Sequence, residues 1–161
     1  MSGDLVNRLA IALLLSLAGN ASADSQGKVQ PDPTHPCRDT FKPHELCFET
    51  PRDGVARADY FSEPFYAVIL RSAERCTVAE EERVRVQKLF PRSKVFSMRF
   101  HCDENIEENV GYTNVDEKLG FLAVYAGPAL KEANARLAEA KATGRFPGAN
   151  IRKMQARLVY P

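Results

Sequence analysis

Cysteine and histidine are the residues of this chain best suited to redox chemistry or to metal binding. They are Cys37, Cys47, Cys76, Cys102, His35, His44 and His101. No cysteine pair has the C-x-x-C spacing, and the spacing of Cys37 and Cys47 does not fit a zinc finger. No combination of serine, histidine and acid suggests a catalytic site either. We therefore expect no catalytic centre, no metal site and no cofactor.

Residues 1–23 have the features of a signal peptide. Arg8 supplies a positive charge, residues 9–18 are apolar, and Ala21-Ser22-Ala23 is a small-residue cleavage site. The apolar run is shorter than the roughly 20 residues that span a bilayer, so no stable membrane anchor is expected after cleavage near Ala23. The mature protein is expected to be periplasmic or secreted.

All four cysteines follow this leader. An even number of cysteines in an oxidising compartment predicts two disulfides. Nearness in the sequence favours Cys37–Cys47 as one pair. Cys76 follows the first predicted strand and Cys102 ends the second, which makes them the other candidate pair, although other connectivities remain open.

The formal net charge of +1 gives the chain no dominant field of either sign. Proteins that bind nucleic acid without a basic surface are unusual, because phosphate contacts supply most of the affinity. A nucleic-acid partner is therefore not expected.

Composition divides the mature chain into a lead-in, residues 24–63, and a main domain, residues 64–161. Five prolines recur in the lead-in, so it should sustain no regular helix or strand. We expect one disulfide to staple it, and Phe41, Leu46 and Phe48 are candidates to pack it onto the main domain.

Residues 65–158 contain a repeat with an offset of 56 and no gap. The matching pairs are Phe65 and Phe121, Ala67 and Ala123, Val68 and Val124, Ala73 and Ala129, Ala79 and Ala135, Phe90 and Phe146, and Met98 and Met154. Each copy has the pattern of a strand, a helix and a second strand, and such units usually bury their apolar faces together. The sequence therefore predicts a βαββαβ order within one shared sheet.

Local patterns place the elements of this repeat. Strands are predicted at residues 65–71, 94–102, 121–127 and 150–160, and helices from Thr77 to the residue before Pro91 and over residues 129–142. Gly111 and Tyr112 lie in the long acidic connection between the second and third strands.

A βαββαβ duplication of this size resembles the SPOR (sporulation-related repeat) domain over about residues 65–160 of the main domain, and the second half is the better match. The similarity lies in Leu122-Ala-Val-Tyr-Ala-Gly127-Pro128, followed by Glu132-Ala133, a helix and a glycine-containing loop. The first half departs from the family, with Ile69 and Arg71 where the family tends to have glutamine and glycine. The resemblance implies an α+β, ferredoxin-like fold: a four-stranded antiparallel sheet with two helices on one face and the other face open. It also implies binding to peptidoglycan glycan strands that have lost their stem peptides, at cell-division sites.

Strand alternation predicts which residues would line that open face. If Val68, Leu70, Val124, Met98 and Met154 point to the helices, the residues between them point away. With Tyr112 added from the connection, the candidate glycan-binding residues are Ile69, Arg71, Arg99, Tyr112, Tyr125, Gln155 and Arg157. An aromatic ring can stack on a pyranose, and arginine and glutamine can donate hydrogen bonds to its oxygens.

Two alternatives stand beside glycan binding. A solvated sheet face of mixed charge often has no ligand at all. The departures in the first half favour a periplasmic protein-interaction or inhibitor module, which would hold a protein partner without binding glycan.

Overall fold

The structure, a computed structural model, describes residues 26–34, 37, 41–50, 60–99, 102, 110–116 and 118–158. The predicted signal peptide, His35 and His101 lie outside these residues. The elements in chain order are β1 Gln26–Gly27, β2 Val29–Gln30, β3 Cys47–Phe48, β4 Tyr60–Ser62, β5 Phe65–Glu74, α1 Glu80–Gln87, β6 Val95–Met98, β7 Val110–Tyr112, β8 Leu119–Tyr125, α2 Leu130–Ala142, β9 Asn150–Met154 and β10 Ala156–Leu158. The described part of the chain is therefore α+β.

The main sheet has four strands in the order β6-β8-β5-β9, and every neighbouring pair is antiparallel. Its longest strand, β5, is rich in the β-branched and aromatic residues that favour strands. A β-bulge interrupts the pairing of β5 with β8 between Ile69 and Arg71. The prediction of a four-stranded antiparallel sheet with two helices is confirmed at this level.

Both helices lie on the same face of the main sheet. Val68 and Leu70 from β5, together with Val124 from β8, join a buried cluster that includes Val86 of α1 and Ala133 of α2. Helix α2 contacts β5 and β9, whereas α1 contacts the edge strand β6. The alternation predicted for Val68, Leu70 and Val124 is therefore confirmed.

The opposite face of the main sheet is not open, contrary to the prediction. A second sheet, in the order β1-β4-β10-β7, and the paired strands β2 and β3 accompany a second core on this side. Its buried members include Leu46 and Phe48 from the lead-in and Phe65, Phe96 and Phe121 from the main sheet. Large apolar side chains on both faces of the sheet require a cover on both, and the lead-in and β10 supply the second one.

Two face assignments were wrong. Met98 and Met154 lie in the core on the side away from the helices, whereas Val95 takes the helix side. All four residues of β6 are buried, so alternation in this strand does not separate a solvated face from a core face.

The last predicted strand is divided at Gln155. Strand β9 pairs with β5 in the main sheet, and β10 pairs with β4 and β7 in the second sheet. Because of this division, Arg157 lies in the second sheet and not in the main sheet. Gly111 and Tyr112 of β7 pair with β10 and so belong to the second sheet as well.

The two halves also differ in their helices. The first residues of α1 and α2, Glu80 and Leu130, lie 50 positions apart, against 56 for the strand pair Phe65 and Phe121. Helix α1 has 8 residues and α2 has 13. The gapless repeat therefore describes the strands better than the helices.

Two disulfides join all four cysteines, Cys37 to Cys47 and Cys76 to Cys102, with Cα–Cα distances of 5.7 and 5.1 Å. The favoured pairing is confirmed, and both bridges fit an oxidising, exported environment. Among the described residues, no helix has the length and apolar character needed to cross a membrane.

Candidate functional site

The structure does not bring the seven predicted glycan-binding residues together. Ile69 and Tyr112 are buried in the core beneath the second sheet. The Tyr112 hydroxyl accepts a hydrogen bond of 3.0 Å from the Leu46 amide, so this side chain holds the lead-in in place. Neither residue lines the larger cleft described below, and Ile69 contributes only to a small cavity.

Arg71 and Gln155 are engaged within the fold. The β-bulge places Arg71 opposite Leu122, on the helix side, where its Nη1 donates to both carboxylate oxygens of Glu82 at 2.8 and 2.7 Å. The side-chain nitrogen Nε2 of Gln155 donates to the Ser62 carbonyl oxygen at 2.8 Å. The bulge reverses the alternation on which the prediction for Arg71 depended.

The remaining three predicted residues lie in different places. Arg157 is half-buried in β10 of the second sheet, and Arg99 follows the end of β6 and is half-exposed. Tyr125, at the end of β8, is half-buried and lines a cleft that the sequence did not predict.

This cleft has a volume of about 450 Å³ and lies beside the end of β8. One wall is a face of α2 and the other combines the α1–β6 turn with the lead-in. The lining residues are Pro31, Arg92, Ser93, Tyr125, Ala126, Gly127, Glu132, Ala135, Arg136 and Glu139. Clefts of about 300–1,000 Å³ are typical of small-molecule sites.

The turn after β8 gives the cleft a fixed floor. Gly127 has a φ of +88°, and a Cβ at this position would collide with the Glu132 carboxylate. The same carboxylate accepts a hydrogen bond of 3.1 Å from the Ala129 amide at the start of α2. Only glycine combines this backbone conformation with such close contact to a side chain.

Tyr125 provides an aromatic ring with a protonated hydroxyl. Its ring packs against Phe65 with a centroid distance of 5.5 Å. Burial raises the pKa of Tyr125 above its usual 10.0, and the negative charges of Glu132 and Glu63 raise it further. The hydroxyl has no hydrogen-bond partner among the described residues, so it can donate to a ligand.

Two arginines flank the cleft in different states. Arg136 forms an ion pair with Glu139 one turn along α2, while its Nε is buried without a partner in the described part of the chain. Arg92 is exposed and makes no ion pair or hydrogen bond with any described residue. Arg92 is thus a guanidinium free to bind an anionic or carbonyl oxygen.

The sequence carried only a weak signal for this cleft. Glu132, Arg136 and Glu139 recur at helical spacing on α2, which identifies one wall. The other wall comes from residues far away in the sequence, and the hydrogen bond of 2.8 Å from the Lys94 amide to the Pro31 carbonyl brings them together.

A second, smaller cavity of about 50 Å³ lies near the opposite end of the main sheet. Ile69, Ser72 and Phe121 contribute to its lining, together with Asp116 and Arg152. It has room for little more than a single small group.

In comparisons with known proteins, the chain matches no protein-family model, no curated protein and no solved structure.

Proposed function

We propose that this chain is an exported, non-catalytic binding module that binds peptidoglycan glycan strands in the cleft beside Tyr125. The observation that carries the proposal is the combination, in one cleft, of a half-buried aromatic ring with an unpaired hydroxyl and an unpaired guanidinium. The ring can stack on the apolar face of a pyranose. Arg92 and the Tyr125 hydroxyl can donate to its hydroxyl, acetamido and carboxylate oxygens.

The resemblance to SPOR domains supports this class of ligand. We propose that the chain is a diverged member with a ferredoxin-like duplication, because the strand order β6-β8-β5-β9 is the order in which a βαββαβ chain forms such a sheet. The strand pairs Phe65 and Phe121, and Met98 and Met154, occupy the same core in both halves, which also supports duplication. The proposed binding site differs from the family's, because the second sheet and the lead-in cover the corresponding face of the main sheet.

The two disulfides support an exported location, and the signal peptide with cleavage near Ala23 is part of the proposal. A wall-binding role at division sites follows from the resemblance and belongs to the same proposal.

A pull-down on purified peptidoglycan sacculi tests the function. The mature protein should bind, and it should bind more after an amidase has removed the stem peptides. Tyr125→Phe removes the hydroxyl but keeps the ring against Phe65, and Arg92→Ala removes the unpaired guanidinium. Each should weaken binding about three- to tenfold, the effect of losing one or two hydrogen bonds to a ligand.

Arg99→Ala is the matched control, because Arg99 belongs to the predicted sheet-face site but not to the lining of the cleft. Loss of binding in Arg99→Ala with retention in the two cleft variants would contradict the location. Absence of binding by the folded protein to either preparation would contradict the function.

A protein-interaction module without glycan binding is the second candidate. The observation that favours it is an edge of the main sheet, at β9, where three outward backbone groups have no partner among the described residues.

A further inference from the structure

The two edge strands of the main sheet, β6 and β9, differ in how their outward backbone groups are hydrogen-bonded. At the β6 edge, the Val95 amide donates to Gln87 Oε1 at 2.9 Å, and Arg83 Nη1 donates to the Val95 carbonyl at 3.2 Å. The Ser97 amide donates to the His44 carbonyl at 2.9 Å. Side chains of α1 and a backbone carbonyl of the lead-in thus satisfy three outward backbone groups of β6, which hinders another strand from pairing there.

The β9 edge has a different pattern of backbone groups. The Tyr66 amide and carbonyl bond to the segment after β8, so Ala67 must direct its own groups to β9. Ala67 is opposite Arg152, and the groups of Ile151 and Lys153 therefore point outward. The hydrogen bond of 3.0 Å from Asn114 Nδ2 to the Lys153 carbonyl, on the outer side of β9, agrees with this direction.

Three outward groups at this edge lack a partner among the described residues: the Ile151 amide, the Ile151 carbonyl and the Lys153 amide. Asn114, with a φ of +57°, is the last residue of the neighbouring segment that bonds to β9. Within the described part of the chain, the hydrogen bonding therefore stops two residues short of Ile151, and the outward groups beyond that point have no partner there.

The charged side chains of β9 itself are positive, while Asp116 lines the same small cavity as Arg152. Arg152 and Lys153 are exposed. Nη1 of Arg152 bonds only to the neutral Asn114 carbonyl at 3.1 Å, and Nζ of Lys153 lies 5.9 Å from the centroid of the Tyr66 ring. Neither cation has a carboxylate partner in the described part of the chain.

We propose that the β9 edge is a docking surface for an extended acidic segment of a partner protein, which adds to the main sheet as a fifth strand. Backbone groups of Ile151 and Lys153 hydrogen-bond the segment, and Arg152 and Lys153 pair with its acidic side chains. A second copy of this chain does not suit the surface, because the cations of two β9 strands would then face each other. This surface is separate from the cleft and does not depend on the proposed glycan binding.

The test uses the ¹⁵N-labelled mature protein and a short blocked peptide in which consecutive glutamates are flanked by valines, so that carboxylates reach both faces of the sheet, as Arg152 and Lys153 do. A peptide of the same length with lysine in place of each glutamate is the control. The glutamate peptide should shift the amide signals of Ile151 and Lys153 and slow their hydrogen exchange, and its affinity should fall with added salt. The lysine peptide should bind at least about tenfold more weakly, because like charges then meet at the edge.

Two variants separate the backbone and charge contributions. Ile151→Pro removes an outward amide without removing a bond to β5, and proline is tolerated at such edge positions. It should weaken peptide binding about fivefold, the effect of one hydrogen bond, whereas Ile151→Val should not. The double variant Arg152→Glu with Lys153→Glu should reverse the preference between the two peptides, and this readout holds even if Ile151→Pro fails to fold.

Equal binding of both peptides, or signal shifts confined to the cleft, would overturn the proposal. So would absence of binding at millimolar peptide, since the two cations would then only protect the edge against pairing.

Discussion

Substitution of Leu46 by alanine tests whether the lead-in is part of the folded domain. Leu46 is fully buried, with 0% exposure, in the core between the two sheets, and its amide donates to the Tyr112 hydroxyl. A buried leucine truncated to alanine loses its transfer free energy and leaves a cavity, at a combined cost of about 2–5 kcal/mol. We expect Leu46→Ala to lower the free energy of unfolding by about 3 kcal/mol.

The assay is urea denaturation of the oxidised mature protein, followed by far-ultraviolet circular dichroism. In a thermal scan the same loss should lower Tm by about 10 °C, at about 3–4 °C per kcal/mol for a domain of this size. Leu130→Ala is the matched control, because Leu130 is 51% exposed at the start of α2. It should change the free energy of unfolding by less than about 0.5 kcal/mol. A similarly small effect for Leu46→Ala would refute the conclusion that the lead-in completes the core.

Two further predictions concern the cleft. Gly127→Ala should lower the free energy of unfolding by about 1–2 kcal/mol, because of the positive φ of Gly127 and the collision with Glu132. Gly148→Ala is the control and should cost much less, because a Cβ at Gly148 meets open space. Equal costs in urea denaturation would contradict the account of the turn. Tyr125 should ionise at a higher pH than an ordinary tyrosine, because burial and the negative Glu132 and Glu63 raise its pKa above 10.0. As the pH rises, the unfolded chain then loses the phenolic proton before the folded protein does, so the free energy of unfolding should fall above about pH 10. This fall should disappear in Tyr125→Phe. An identical pH dependence of stability in both proteins would contradict the raised pKa.

The strands and the disulfides were the most predictable features. Phe65, Ala67 and Val68 recur as Phe121, Ala123 and Val124, and both segments form strands that pair with each other. Helix α2 was also predictable, because alanine, leucine, glutamate and lysine dominate its sequence. These are local signals, and they specify an element without reference to its surroundings.

The faces of the main sheet were less predictable. The pattern of β6 fits either orientation, because Phe96 and Met98 face one core while Val95 faces the other. The sequence shows that the side chains of such a strand alternate, but which set faces the helices depends on what covers each face of the sheet.

The role of the lead-in also depends on distant contacts. Its prolines indicated an extended segment, while the contact of Leu46 with Tyr112 joins residues 66 positions apart. The cleft has the same difficulty, since its walls come from Pro31, from Arg92 and Ser93, and from α2. The composition of these segments does not indicate that they meet.

The most direct test of the central claim is a titration of the ¹⁵N-labelled mature protein with soluble, stem-peptide-free glycan strands. The account predicts amide shifts that saturate and cluster at Arg92, Ser93, Ala126 and Gly127, with no comparable change at Arg99 or Arg157. Saturable shifts centred on Arg99 and Arg157 would contradict the assignment of the cleft. Absence of shifts anywhere in the folded protein would contradict glycan binding itself.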